Sequence, residues 1–184
     1  SGQVWGLIKI GDEKFCLHDR GIFLLDGLSL KKIGNISGTW TCQLLSGETN
    51  RMYVGVYDGL YLLEKIGNEW TVNRKIEGVN DSFRFFEQES PQVIWMLIDQ
   101  GQVVRLELDV NLTKVQKRTV FGPEEGLHTN MDIHINKVGG RVYFSTIQGI
   151  YHYNPHTNSM ELSQEINNFL NGSGPYYKIV EYND

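Results

Sequence analysis

The residues of this chain that could do chemistry are few, and their spacing does not favour it. His152 and His156 stand four positions apart, which would turn two imidazoles toward one metal only on a helix, yet Asn154-Pro155 puts a turn between them. His128 and His134 flank the start of the last repeat described below, and His128, in a loop after Gly126, is the histidine expected to be exposed. Glu124-Glu125 and Asp12-Glu13 are adjacent carboxylates in turn-like segments. A general acid and base must face one substrate from two sides, and adjacency in a turn does not provide that, so both pairs read as solvated turn charges. There is no G-x-S-x-G elbow, phosphate loop or H-E-x-x-H, and Gly172-Ser173-Gly174 lacks the strand and long helix that a phosphate cradle needs. Cys16 and Cys42 are too few for a disulfide framework and read as buried, unpaired thiols. No catalytic residue, metal site or cofactor is expected.

The elements that carry these residues repeat. Four times an aromatic precedes a glycine by six positions, with a short apolar run after it: Phe15 to Gly21, Tyr53 to Gly59, Trp95 to Gly101 and Tyr143 to Gly149. Each segment reads as two strands joined at a tight turn, where glycine supplies backbone angles that a side chain resists. Successive glycines lie 38, 42 and 48 residues apart, close to the roughly 40 to 50 residues of one four-stranded propeller blade. The period predicts an all-β chain: a β-propeller segment of about four four-stranded antiparallel blades, over residues 1–37, 38–79, 80–127 and 128–172.

Within them, strands are expected at 4–10, 14–18, 21–25 and 30–36; at 39–45, 51–57, 60–65 and 70–76; at 82–87, 93–99, 103–108 and 115–121; and at 131–137, 141–146 and 150–153. The last element departs from this pattern. Ser163, then Glu165, Ile166, Phe169, Leu170 and Asn171-Gly172, reads as a short capped helix. Residues 175–184 alternate again, like the first strand of a further blade. Rings of about four to eight blades shield their sheet edges, and four blades with a stray fifth strand are expected to be an open arc of a larger ring. Such an arc exposes apolar faces near residues 4–10 and 176–182 and is expected to self-associate through them.

Composition excludes some partners. Of 184 residues, 40% are apolar, and 17 basic against 22 acidic side chains give a net charge of −5. No Lys/Arg cluster exceeds pairs such as Lys31-Lys32 and Lys117-Arg118, so this segment is not expected to bind nucleic acid. No apolar run approaches the roughly 20 residues that cross a bilayer. Neither an initiator Met nor a signal-peptide core is present, as expected of an excised or mature segment.

The run YFSTIQGIYHYNPHTNSME from Tyr143 to Glu161, the run YVGVYDGLYLLE in the second repeat and the linker FGPEEGLHTN from Phe121 to Asn130 resemble the two-component regulator propeller repeat. Repeats 1 and 3 keep the aromatic and glycine but have Leu17-His18 and Leu97-Ile98 where repeat 4 has Ser145-Thr146. The resemblance implies the extracytoplasmic, periplasmic sensor portion of a hybrid two-component histidine kinase, or of a triple-tyrosine-motif regulator, of Bacteroidetes type. It implies oligosaccharide fragments as ligands, and as partners the remaining blades and signalling domains of the parent protein. The kinase modules themselves are not in this chain.

The repeated aromatics Phe15, Tyr53, Trp95 and Tyr143 are expected to pack between neighbouring sheets, as are Trp5 and Trp40 on first strands. A propeller gathers its linkers and the loops between second and third strands around one end of its axis. On this chain those loops hold Asp19, Arg20, Tyr57, Asp58, Asn80, Asp81, His128 and Asn130, a set rich in hydrogen-bonding groups and suited to a polar ligand such as a sugar. Two other functions stay open: a propeller enzyme such as a lyase, using His128 and Asp81, and a protein-interaction scaffold without a small ligand.

Overall fold

The computed structural model describes residues 2–98, 102–128, 132–170 and 176–179. Sixteen strands among them form four antiparallel sheets in which each strand pairs with the next along the chain. The first sheet is β1 (Val4–Ile10), β2 (Glu13–His18), β3 (Gly21–Asp26) and β4 (Ser29–Lys32); the second is β5 (Thr41–Leu44), β6 (Arg51–Val56), β7 (Gly59–Ile66) and β8 (Glu69–Lys75). The third is β9 (Phe83–Ser90), β10 (Val93–Ile98), β11 (Gln102–Leu108) and β12 (Val115–Phe121), and the fourth is β13 (His134–Val138), β14 (Arg141–Thr146), β15 (Gly149–Asn154) and β16 (Ser159–Leu162).

The four repeated aromatics occupy one position, the third residue of the second strand of each sheet, and all are buried. Gly21, Gly59 and Gly149 each open the third strand with φ between 132° and 146°. Gly101 lies outside the described residues. A Cβ at Gly21 would stand 2.6 Å from the Ile36 carbonyl oxygen, and one at Gly59 would overlap the Val79 carbonyl. The repeat thus needs glycine twice over, for its backbone angle and for the linker that crosses above it.

Two compact units form, Ser1–Phe85 with Leu108–Val115, and Phe86–Glu107 with Gln116–Asp184. In the first, Phe15, Leu17 and Ile22 of one sheet pack with Cys42, Val54, Leu63 and Trp70 of the next, and the Phe15 and Trp70 rings meet edge-on at 5.9 Å. In the second, Trp95, Val103 and Phe121 pack with Phe144, Tyr151 and Met160, with Trp95 and Phe144 centroids 5.0 Å apart. Fully burying one such side chain is worth about 1.5–3 kcal/mol. Cys16 and Cys42 are buried free thiols, and burial pushes the Cys42 thiol up to about 12.

Several expected boundaries shift for identifiable reasons. β4 stops at Lys32, because Ile33 and Ile36 leave the strand to enter the core around Gly34, whose φ is 60°. The fourth sheet completes its own last strand, β16, before the helix α1 (Gln164–Leu170) begins after Ser163, so strand and helix share the stretch assigned to a helix alone. Of the expected fifth-blade strand, residues 176–179 are described and are not in a strand; the rest lies outside the described residues. Their backbone is held by side chains of the fourth sheet: Tyr176 N donates to Ser145 Oγ at 2.6 Å and Ile179 N to Asn136 Oδ1 at 2.9 Å. Glu13 is not the solvated charge its turn suggested. Its Oε2 accepts from Lys65 Nζ and from Trp70 Nε1, each at 3.0 Å, tying the first sheet to the second.

Candidate ligand-binding site

Two-residue turns join the second and third strands, Asp19-Arg20 in the first sheet and Tyr57-Asp58 in the second. Backbone hydrogen bonds bring the linker between the sheets up to the first turn, with Gly38 N donating to Asp19 O at 2.7 Å and Thr39 N to His18 O at 3.1 Å. Asp19 N in turn donates to Gln3 O at 3.1 Å. A Cβ at Gly38 would overlap the Tyr57 ring, so glycine lets that ring lie flat on the linker. Asp19 and Tyr57, two of the residues picked from the sequence, are therefore drawn to one end of these two sheets.

Two tryptophans that sequence reasoning assigned to packing form an aromatic cluster with Tyr57. Trp5 sits where the β1–β2 register slips between Val4 and Gly6. Trp40 N donates to Gly55 O at 2.9 Å while Thr41 pairs with the same glycine, so two residues oppose one. Bulges of this kind re-aim a side chain and are common beside functional sites. The two indoles meet at 4.0 Å with a 44° tilt, and the Tyr57 ring lies 5.1 Å from Trp40. Tyr57 keeps 42% of its surface exposed. Arg84 of β9 holds its guanidinium 4.7 Å from the Trp40 ring centre.

Both indole N–H groups are shielded and have no acceptor among the described residues. A buried donor left so costs about 1–3 kcal/mol, which a phenyl ring packed for stability alone would avoid. All of these residues belong to the first unit.

The other sequence candidates fare differently. Asp58 is paired with Lys75 Nζ at 3.0 Å. Arg20 is exposed, its amide donating to His18 Nδ1 at 2.9 Å, and the same imidazole nitrogen contacts the Asp19 carboxylate. Asn80 is exposed and Asp81 half-buried in the linker after β8. His128 is exposed within the second unit, and Asn130 lies outside the described residues. Sequence reasoning did not single out Arg84; it assigned Trp5 and Trp40 to packing, and Trp5 does pack against the core of the first unit. A signal existed: Ile8 and Gln43 pair with Phe15 and Tyr53, and each tryptophan lies three positions before its partner in that row.

Among the described residues no group of three or more His, Cys, Asp or Glu is placed to hold a metal. His152 faces Tyr143 across the fourth sheet; desolvation first, then the Arg141 charge, lowers its pKa below the ordinary imidazole value. The arrangement in the first unit offers ring faces, a cation and backbone edges. Those are means of binding.

No family model matches the chain, and no curated protein does. Solved structures do. The extracellular domain of the putative hybrid two-component system BT4673 from B. thetaiotaomicron is similar over 88% of this chain and 21% of that one, at 15% identity with a TM-score of 0.63. The corresponding domain of the putative hybrid two-component system BT3049 is similar over 95% of this chain and 24% of that one, at 18% identity and a TM-score of 0.60. The WD40 β-propeller domain of Doa1 is similar over 86% and 52%, at 12% identity and a TM-score of 0.57. The four sheets are blades of a β-propeller fold, and the chain spans between a fifth and a quarter of the two extracellular domains.

Proposed function

We propose that the chain is a non-catalytic, ligand-binding segment of an extracytoplasmic sensor propeller from a bacterial signal-transduction regulator, and that its ligand is a carbohydrate fragment. The observation that carries this reading is the half-exposed cluster of Trp5, Trp40 and Tyr57 at the loop end of the first two blades. Sugars present flat C–H faces that lie on aromatic rings and hydroxyls that take backbone and side-chain hydrogen bonds. The likeness to extracellular domains of two-component systems supports the location and the signalling role.

Further blades of the parent protein are the partners of this segment. Cys42, Val54 and Tyr61 form a cross-strand row on the second blade and pack with Phe15 of the first. The matching row on the first blade is Leu7, Cys16 and Phe23, and Leu7 is 70% exposed. Beside it a hollow of about 350 Å³ is lined by Val4, Cys16, His18, Phe23 and Leu30. A neighbouring blade fits there, and in the isolated segment a second copy takes its place. Sedimentation should show association that grows with concentration; a monomer at every concentration would contradict this.

The ligand reading is tested by melting the chain against neutral and acidic oligosaccharides. A ligand at a hundred times its Kd raises stability by about 2.7 kcal/mol, and Tyr57→Ala should remove that rise. The absence of any shift across the set, or a shift unchanged by Tyr57→Ala, would contradict the assignment.

A further inference from the structure

Resting on the sugar-binding reading of this site, we propose that its ligand is an acidic sugar, whose carboxylate is taken by Arg84 while its ring lies on Tyr57. Arg84 is exposed and has no carboxylate partner among the described residues, although Arg51, Lys65, Lys75 and Arg105 all have one. What holds it is the Trp40 ring, 4.7 Å away. A guanidinium lying over a ring keeps its fork of N–H donors directed sideways, and that fork matches the two oxygens of a carboxylate.

The position is as telling as the charge. Tyr57 and Arg84 both contact Trp40, at 5.1 and 4.7 Å, so an aromatic face and a cation stand beside the same indole. Two acids of the same loop end have other partners: Asp58 is held by Lys75, and Asp19 lies against His18. On a chain of net charge −5, an anionic ligand is not drawn in by the overall field and must be chosen locally. A fixed arginine beside a stacking ring does that.

The test is a tryptophan-fluorescence titration of the full chain with uronic-acid oligosaccharides from pectin, alginate and chondroitin, each beside its methyl ester and beside neutral oligosaccharides of similar length. An acidic oligosaccharide should bind at least about tenfold more tightly than its ester, a difference of 1.4 kcal/mol. Arg84→Gln should erase that difference while neutral oligosaccharides bind as before, and Arg84→Lys should restore it in part. Equal binding of acid and ester, or a preference that survives Arg84→Gln, overturns the proposal and leaves the sugar-binding reading standing. Binding of nothing in the panel overturns both.

Discussion

The side-chain amide of Asn167 holds both backbone groups of Ile150: Ile150 N donates to Oδ1 and Nδ2 donates to Ile150 O, each at 2.9 Å. In the first two blades a linker carbonyl, of Ile36 or Val79, stands over the glycine that opens the third strand, and in the fourth blade Asn167 Oδ1 stands over Gly149. A side chain on α1 thus stands over the glycine of this blade where linker backbone stands in the first two. Asn167→Ala removes these two bonds and a third to Ser163 O at 2.7 Å. It should cost about 1–3 kcal/mol and speed exchange of the Ile150 amide. Unchanged exchange there would show that the helix is not held by this residue.

The glycines of the repeat should separate by what lies above them. At Gly67, φ is 61° and nothing lies within 4 Å of an added Cβ, so Gly67→Ala should cost about 1–2 kcal/mol from backbone conformation alone. At Gly59 the same substitution also collides with the Val79 carbonyl and should cost about 3 kcal/mol or more. Denaturant midpoints of the two variants compare them directly.

Asp109 predicts an acid limb to stability. Hydrogen bonds from Thr113 Oγ1 at 2.7 Å, and from the amides of Lys114 at 2.9 Å and Thr113 at 2.6 Å, pull its pKa down to about 2. The folded-state value lies below the unfolded one, so its contribution is complete above the ordinary value of 3.8 and is lost as pH falls through about 2. Asp109→Asn should flatten the fall in unfolding free energy between those pH values.

His152 predicts a second, milder limb. Burial and the Arg141 charge disfavour its protonated form, so the stability it contributes is full above the ordinary value of 6.5 and declines as pH falls below it. Tyr143, Glu161 and Arg141 are the groups around it. Melting temperatures of His152→Gln and the parent chain should converge as pH drops from 7 toward 5.

The repeat was legible in the sequence because its two signals are local. An aromatic at the third position of a strand and a glycine six residues on are both set by period-two alternation and turn geometry, and Phe15, Tyr53, Trp95 and Tyr143 fell where expected. The site was less legible. Trp5 and Trp40 both stand at bulges, and a bulge is a mismatch between two strands that neither strand shows alone. An exposed Arg84 in a strand looks ordinary until Trp40 is found beneath it. Glu13 looked like a turn charge because its partners, Lys65 and Trp70, are more than fifty residues away.

A sugar-binding, non-catalytic segment, as proposed above, leaves its ligand unchanged. Incubating the chain with acidic oligosaccharides, isolating the complex and measuring the released ligand by mass spectrometry separates binding from turnover. Retained oligosaccharide of unaltered mass is expected at every incubation time. Shortened or unsaturated products that accumulate with protein concentration and disappear on His128→Ala would contradict it and point to a lyase.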